Sequence, residues 1–123
     1  MILDAGFLIS VDRGEDSAQA VLTNRRLQPS LHTTHPVLAQ VWRDGARQAR
    51  LAAFVKTLTV HPFDNGPAVG HLLARSETSD VVDAHLVAVA MRLKHDVLTG
   101  DSEDITAVCT HLGREAPRVH QWP

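Results

Sequence analysis

The sequence holds a single cysteine, Cys109, no tyrosine, three phenylalanines and two tryptophans in 123 residues. A lone thiol forms no internal bridge, which excludes a disulfide scaffold and fits a reducing compartment. Cys109 itself lies on an apolar helical stripe, where a cysteine packs as an inert hydrophobe. Trp42, Phe54 and Phe63 are too few and too scattered for a base-stacking platform, and two tryptophans in a chain this size are expected in the core or at an interface. An excess of charge is missing as well: 12 Lys and Arg oppose 14 Asp and Glu, for a formal net charge of -2. That balance excludes a globally basic coat for nucleic acid while leaving room for a local basic patch.

Long apolar runs are also absent. The longest, Val81 to Leu93, is interrupted by Asp83, His85 and Arg92 and falls short of the roughly 20 apolar residues of a bilayer span. The opening Met1-Ile2-Leu3 is cut by Asp4 with no basic region before it, so a cytoplasmic protein without membrane contact is expected. There is no glycine-rich phosphate loop and no Ser-His-Asp arrangement. His32 and His35 have HxxH spacing but straddle a strand end before Pro36 with no cysteine nearby, which argues against zinc.

What remains is ordinary globular composition, 44% apolar and 21% charged, in a length that suits one domain of residues 1–123. Short apolar runs alternate with segments of helical period, the pattern of an α/β fold. Strands are expected at Met1–Asp4, Leu31–Thr34, Leu58–His61, Asp96–Thr99 and Arg118–Trp122. Helices are expected from Ala5 to Gly14, Glu15 to about Leu27, Pro36 through Trp42, Ala46 to about Thr57, Ala68 to Arg75, Ser79 or Asp80 to His95, and Ser102 to Leu112. Asn65-Gly66-Pro67 reads as a turn. The sum is a three-layer α/β/α fold with a mainly parallel sheet of about five strands.

In such a sheet the ligand site lies beyond the carboxyl ends of the strands. Asp4 and Asp101 sit at such ends, Asp104 follows one helical turn later, and Asp80 and Asp83 share a face at the start of the longest helix. Capping explains part of this pattern equally well, because Asp80 with Asp83 and Asp101 with Asp104 have the spacing of a cap and its N3 partner. Asp4 is less easily explained so, since it ends an apolar strand and Ala5-Gly6 lets backbone and ligand approach closely. Carboxylates brought together repel, and a hard divalent cation such as magnesium removes that repulsion and acts on phosphates.

Leu3-Asp4-Ala5-Gly6, Pro36-Val37-Leu38-Ala39-Gln40-Val41-Trp42-Arg43, Asp83-Ala84-His85-Leu86 and Leu98-Thr99-Gly100-Asp101-Ser102-Glu103-Asp104 together resemble PIN-domain proteins, and most of all VapC-type toxins of bacterial toxin-antitoxin pairs. The resemblance implies a three-layer PIN-like fold and a magnesium- or manganese-dependent endoribonuclease, often homodimeric, inhibited by an antitoxin in its groove. It implies catalytic and metal roles for Asp4, Asp83 and Asp101, an auxiliary acidic position at Asp104, and a frequent Thr or Ser at Thr99. Gln40 occupies the position of the family's usual glutamate. An amide keeps a carbonyl oxygen but carries no charge and cannot act as a base; Asp80 or Asp104 could replace the missing charge.

Arg43, Arg47 and Arg50 fall at i, i+4 and i+7 beside Gln40 and would form an RNA-phosphate track on a continuous helix, unless Gly45 breaks it. Arg25-Arg26 is a weaker basic feature. His85, two residues after Asp83, points to another face and reads as a packed or interface histidine rather than a catalytic one. Two further functions compete with the ribonuclease: a PIN-like module that binds RNA or protein without cutting, and a receiver-type signalling domain. The receiver is disfavoured because the middle strand ends in His61-Pro62 rather than an aspartate, and Lys56 and Lys94 both fall in predicted helices.

Overall fold

The structure, a computed structural model, describes residues 1–24 and 31–123. Its chain order is β1 (Ile2–Leu3), α1 (Ala5–Asp12), α2 (Asp16–Leu22), β2 (His32–Thr34), α3 (His35–Val41), α4 (Ala49–Val55), β3 (Thr59–His61), α5 (Gly66–Ser76), α6 (Val81–Leu93), β4 (Val97–Thr99), α7 (Ser102–Val108), a 3-10 turn (Gly113–Glu115) and β5 (Val119–Gln121). The five strands form one sheet in the order β3-β2-β1-β4-β5, with every pair parallel. The expected three-layer α/β/α, PIN-like fold is therefore observed. On one side α1 packs on α2, α3 and α4, while α5, α6 and α7 pack on one another. Among the described residues, no helix is long and apolar enough to cross a membrane.

The strands are short and wholly apolar or threonine-rich at the centre: Ile2, Leu3, Val97, Leu98, Thr33, Thr34 and Thr99 are all buried. Buried threonines are tolerated because they are bonded, as when Thr33 Oγ1 donates to Leu3 O at 2.9 Å. Helix α6 is apolar on most sides and buries Ala84, Leu86, Val87, Val89 and Ala90, as a helix between a sheet and other helices must.

Several expected boundaries are corrected by specific hydrogen bonds. Helix α2 stops at Leu22 rather than near Leu27, where the Thr23 hydroxyl donates back to Ala20 O; the expected Arg25, Arg26 and Leu27 positions lie outside the described residues. Trp42 leaves α3 in an extended conformation. The Gln48 amide then ties residues 41–48 into a loop, its Oε1 accepting from Arg43 N and Asp44 N and its Nε2 donating to Val41 O. Helix α4 consequently starts at Ala49, not Ala46. The expected 65–67 turn is taken up by α5, with Pro67 in its first turn, where a missing N–H costs nothing. Helix α7 ends at Val108 rather than Leu112 because Cys109, Thr110 and Leu112 all donate three residues back, tightening the chain out of the α form.

Candidate active site

Strand β1 pairs with β2 on one side and β4 on the other, so the chain direction of the crossovers reverses there, and the carboxyl ends of β1 and β4 open on the crevice where such sheets bind ligands. Asp4 follows β1 directly. Its backbone N donates to Leu98 O at 2.9 Å, which locks it against β4. Although Asp4 occupies the N-cap position of α1, its side chain caps nothing. Instead Oδ2 accepts from the buried Thr99 hydroxyl at 2.7 Å, and the same hydroxyl accepts from Asp101 N at 3.0 Å. Thr99 thus joins the ends of the two strands at a single atom.

Two of the other acids do cap. Asp80 accepts from Asp83 N at 3.0 Å and Asp101 from Asp104 N at 3.3 Å, as the capping reading expects. The Asp83 carboxylate caps nothing and has no hydrogen-bond partner among the described residues. Burial, followed by the charges of Asp80, Asp4, Asp104 and Asp101, pushes it up to about 7. With Asp4, Asp80, Asp101 and Asp104 all acting on one carboxyl, three separate segments lie near one another at this end of the sheet. Asp104 is also pushed up, first by a hydrogen bond with the Asp101 carboxyl and then by that neighbour's charge. A cavity of about 240 Å³ beside them is lined by Asp80, Asp83 and Asp104 with Thr78, Ala107 and Val108.

Two residues of the C-terminal segment hold this arrangement, and no local signal marks them. Gln121 Oε1 accepts from Ser102 N and its Nε2 donates to Gly100 O, clasping the loop that carries Asp101. Trp122 donates from its backbone N to Thr99 O and from Nε1 to Ser10 Oγ on α1, and its ring meets Phe7 edge-on. The Gly6 and Gly100 backbones approach so closely that a Cβ on Gly6 would lie 3.0 Å from Gly100 Cα.

The remaining expected site residues are more dispersed. Gln40 is exposed on α3, the helix that starts at the carboxyl end of β2 beside Asp4. Arg43, Arg47 and Arg50 share no helix, because the Gln48 loop separates α3 from α4. Arg43 Nη1 donates to Ala39 O and Trp42 O, Arg47 faces Asp44 at 3.7 Å, and the Arg50 guanidinium lies against Gly14. The expected continuous phosphate track is therefore not formed. His85 is buried against Phe63 and faces Asp64 at 3.4 Å, and its Nδ1 has no hydrogen-bond partner among the described residues. His32 contacts His61 rather than His35, with 3.0 Å between ring nitrogens. Trp42, expected in the core or at an interface, is 37% exposed.

The donor set consists of hard carboxylate oxygens crowded without an opposing cation among the described residues, a chemistry that suits magnesium or manganese. Among the described residues, no three His, Cys, Asp or Glu side chains converge tightly enough to cage an ion by themselves. Magnesium does not require that, since it keeps several waters and takes one or two carboxylates. In donor chemistry, though not as a preformed cage, these oxygens suit such an ion.

No family model and no curated protein matches this sequence. Among solved structures, VapBC2 from Rickettsia felis, bound to a DNA fragment from their promoter, contains a chain similar at a TM-score of 0.70 and 14% identity, covering 99% of this chain and 98% of that one. FitAcB from Neisseria gonorrhoeae is similar at a TM-score of 0.65 and 15% identity, covering 98% of this chain and 96% of that one. These findings correct the family assignment drawn from the short motifs: likeness at such identity establishes the shared fold alone, and membership among the VapC-type toxins does not stand.

Proposed function

We propose that this protein is a metal-dependent endoribonuclease that hydrolyses RNA phosphodiester bonds at the carboxyl ends of β1 and β4, and that a protein partner restrains it. One observation carries the reading: Asp4, Asp80, Asp83, Asp101 and Asp104 come together without a lysine or arginine paired to any of them among the described residues, whereas the ion-paired acids, Asp44, Asp64 and Asp96, lie elsewhere. Two unit charges about 4 Å apart repel by about 4 kcal/mol at an effective dielectric near 20, and folds sustain such conflict chiefly at functional sites. The fold likeness to chains of VapBC2 and FitAcB, both antitoxin-toxin complexes, supports a protein partner of antitoxin type.

Asp4, Asp83 and Asp101 would hold magnesium or manganese, with Asp104 beside them. A bound divalent ion supplies charge neutralisation at the phosphate and acidifies water for attack on phosphorus. The chain's own contribution is orientation. Thr99 fixes Oδ2 of Asp4, whose Oδ1 has no hydrogen-bond partner among the described residues, Gln121 holds the Asp101 loop, and Asp83, pushed up to about 7 by burial and its acidic neighbours, would give up its proton on binding the ion. Gln40 offers an oxygen without a charge.

The test is to incubate structured RNA with the protein in magnesium, in manganese and in chelator, beside Asp4→Asn. The amide still accepts from the Thr99 hydroxyl, so the fold is retained. Cleavage is expected with either ion, absent in chelator, and reduced on the order of 100-fold or more in the variant. RNA that binds but is never cut would support the second reading, a binding module, which the uncharged Gln40 favours.

A further inference from the structure

We infer that a cavity at the amino ends of β4 and β5, remote from the acids, binds a phosphorylated, ring-bearing small molecule of mononucleotide size. The cavity measures about 550 Å³, within the roughly 300–1,000 Å³ of small-molecule sites. Lys94, Arg114 and Arg118 line it and are exposed, and their side chains make no hydrogen bond or ion pair among the described residues. Two acids line it as well. Asp96 is engaged by His120 Nε2 at 2.8 Å, which leaves Glu115 as the one carboxylate facing three free cations.

The apolar part of the lining comes from Ala90, Met91, Ala116 and Pro117. A thioether and small aliphatic groups take an apolar or aromatic ring, and guanidinium groups grip phosphate bidentately and stack on planar rings. A ligand that satisfies both halves carries a phosphate on one end and a flat ring on the other. Inorganic phosphate alone would leave the apolar wall wet, and an uncharged nucleoside would leave the cations unanswered. Asp96 and Arg118 immediately precede β4 and β5, whereas Asp101 follows β4, so the sheet separates this cavity from the acidic crevice. The inference is therefore independent of the proposed nuclease activity.

The probe is adenosine monophosphate, titrated calorimetrically in chelator beside adenosine and inorganic phosphate. The monophosphate is expected to bind at least about tenfold more tightly than either fragment. The double variant Arg114→Ala/Arg118→Ala is expected to weaken it tenfold or more, a change of about 1.4 kcal/mol per tenfold. Both arginines are exposed and unpartnered, so a thermal melt should show the fold intact. Glu115→Gln is expected to tighten binding severalfold, a gain that no unfolding artefact produces, and Asp4→Asn to leave it unchanged. No binding to the unaltered protein overturns the inference, as does binding that survives the double arginine change or disappears with Asp4→Asn.

Discussion

Among the described residues, five aspartates at the carboxyl ends of the strands stand without a paired cation, while at the amino ends Lys94, Arg114 and Arg118 line a cavity in which Glu115 is the only unengaged acid. The difference follows from parallel topology. Every strand-to-helix connection presents a helix N-terminus at one end of the sheet, and every return presents a C-terminus at the other. Acids suit the first and cations the second. Asp80 and Asp101 accordingly cap α6 and α7, and Lys94 caps the other end of α6 in a left-handed conformation. Charge sorting by helix polarity thus explains much of both ends. What exceeds it is Asp4, which caps nothing, and Asp83, whose carboxyl is forced up to about 7.

The largest effect that sharpens this contrast is expected at Gln40. Gln40→Glu adds a negative charge to the acidic end alone, so magnesium affinity should rise about tenfold or more, at about 1.4 kcal/mol per tenfold, and adenosine monophosphate binding at the other end should not change. Calorimetric titration with both ligands measures this directly. Unchanged magnesium affinity would place position 40 outside the site.

Asp83→Asn should act next, on stability. The folded carboxyl is pushed up to about 7 from an ordinary 3.8, so between those values the folded chain holds a proton that the unfolded chain lacks. Stability therefore falls as pH rises through that window, and the full cost is present above 7. After screening by solvent, that cost is on the order of 1–2 kcal/mol. In chelator at pH 8, the variant should melt a few degrees higher. A lower melting temperature would mean that Asp83 makes a stabilising contact and that the acids do not conflict.

The smallest effect is expected at the sheet edge. His32 is held below its ordinary value by burial and then by the charge of His95, and His61 by burial and then by Arg92. Their neutral forms are favoured in the fold, and the ring nitrogens 3.0 Å apart share one proton. Stability should fall as pH drops from 6.5 towards the depressed folded values. His32→Phe keeps an aromatic ring but cannot protonate, and should flatten the pH dependence of the melting temperature by one or two degrees on the order expected for such surface pairs. An unchanged slope would show that the pair carries no charge on acidification.

The acids themselves were legible in the sequence. Asp4 after Ile2-Leu3, Asp101 after Leu98-Thr99, and the Asp80/Asp83 and Asp101/Asp104 spacings all rest on strand ends and caps, which are decided by sterics and hydrogen bonds within a few residues. The alternation of short apolar runs with helical periods likewise carried the three-layer fold. The family assignment was not legible at the same level: the short motifs match no family model, and the similar solved structures share only 14% or 15% identity. The arginine track failed for a local reason with a distant cause: Gln48, an unremarkable polar residue by pattern, reaches back to Val41, Arg43 and Asp44 and ends the helix.

Convergence of the acids, by contrast, depended on β1 pairing with β4 rather than β5, and nothing within either segment specifies that neighbour. The hold of Gln121 and Trp122 on the Asp101 loop and α1, the contact of His32 with His61, and the gathering of Lys94, Arg114 and Arg118 around one cavity have the same origin. Propensity and capping act between near neighbours in the chain. Strand order is set by burying the apolar faces of the whole sheet at once, a sum over contacts far apart in sequence, and only that sum decides which side chains meet.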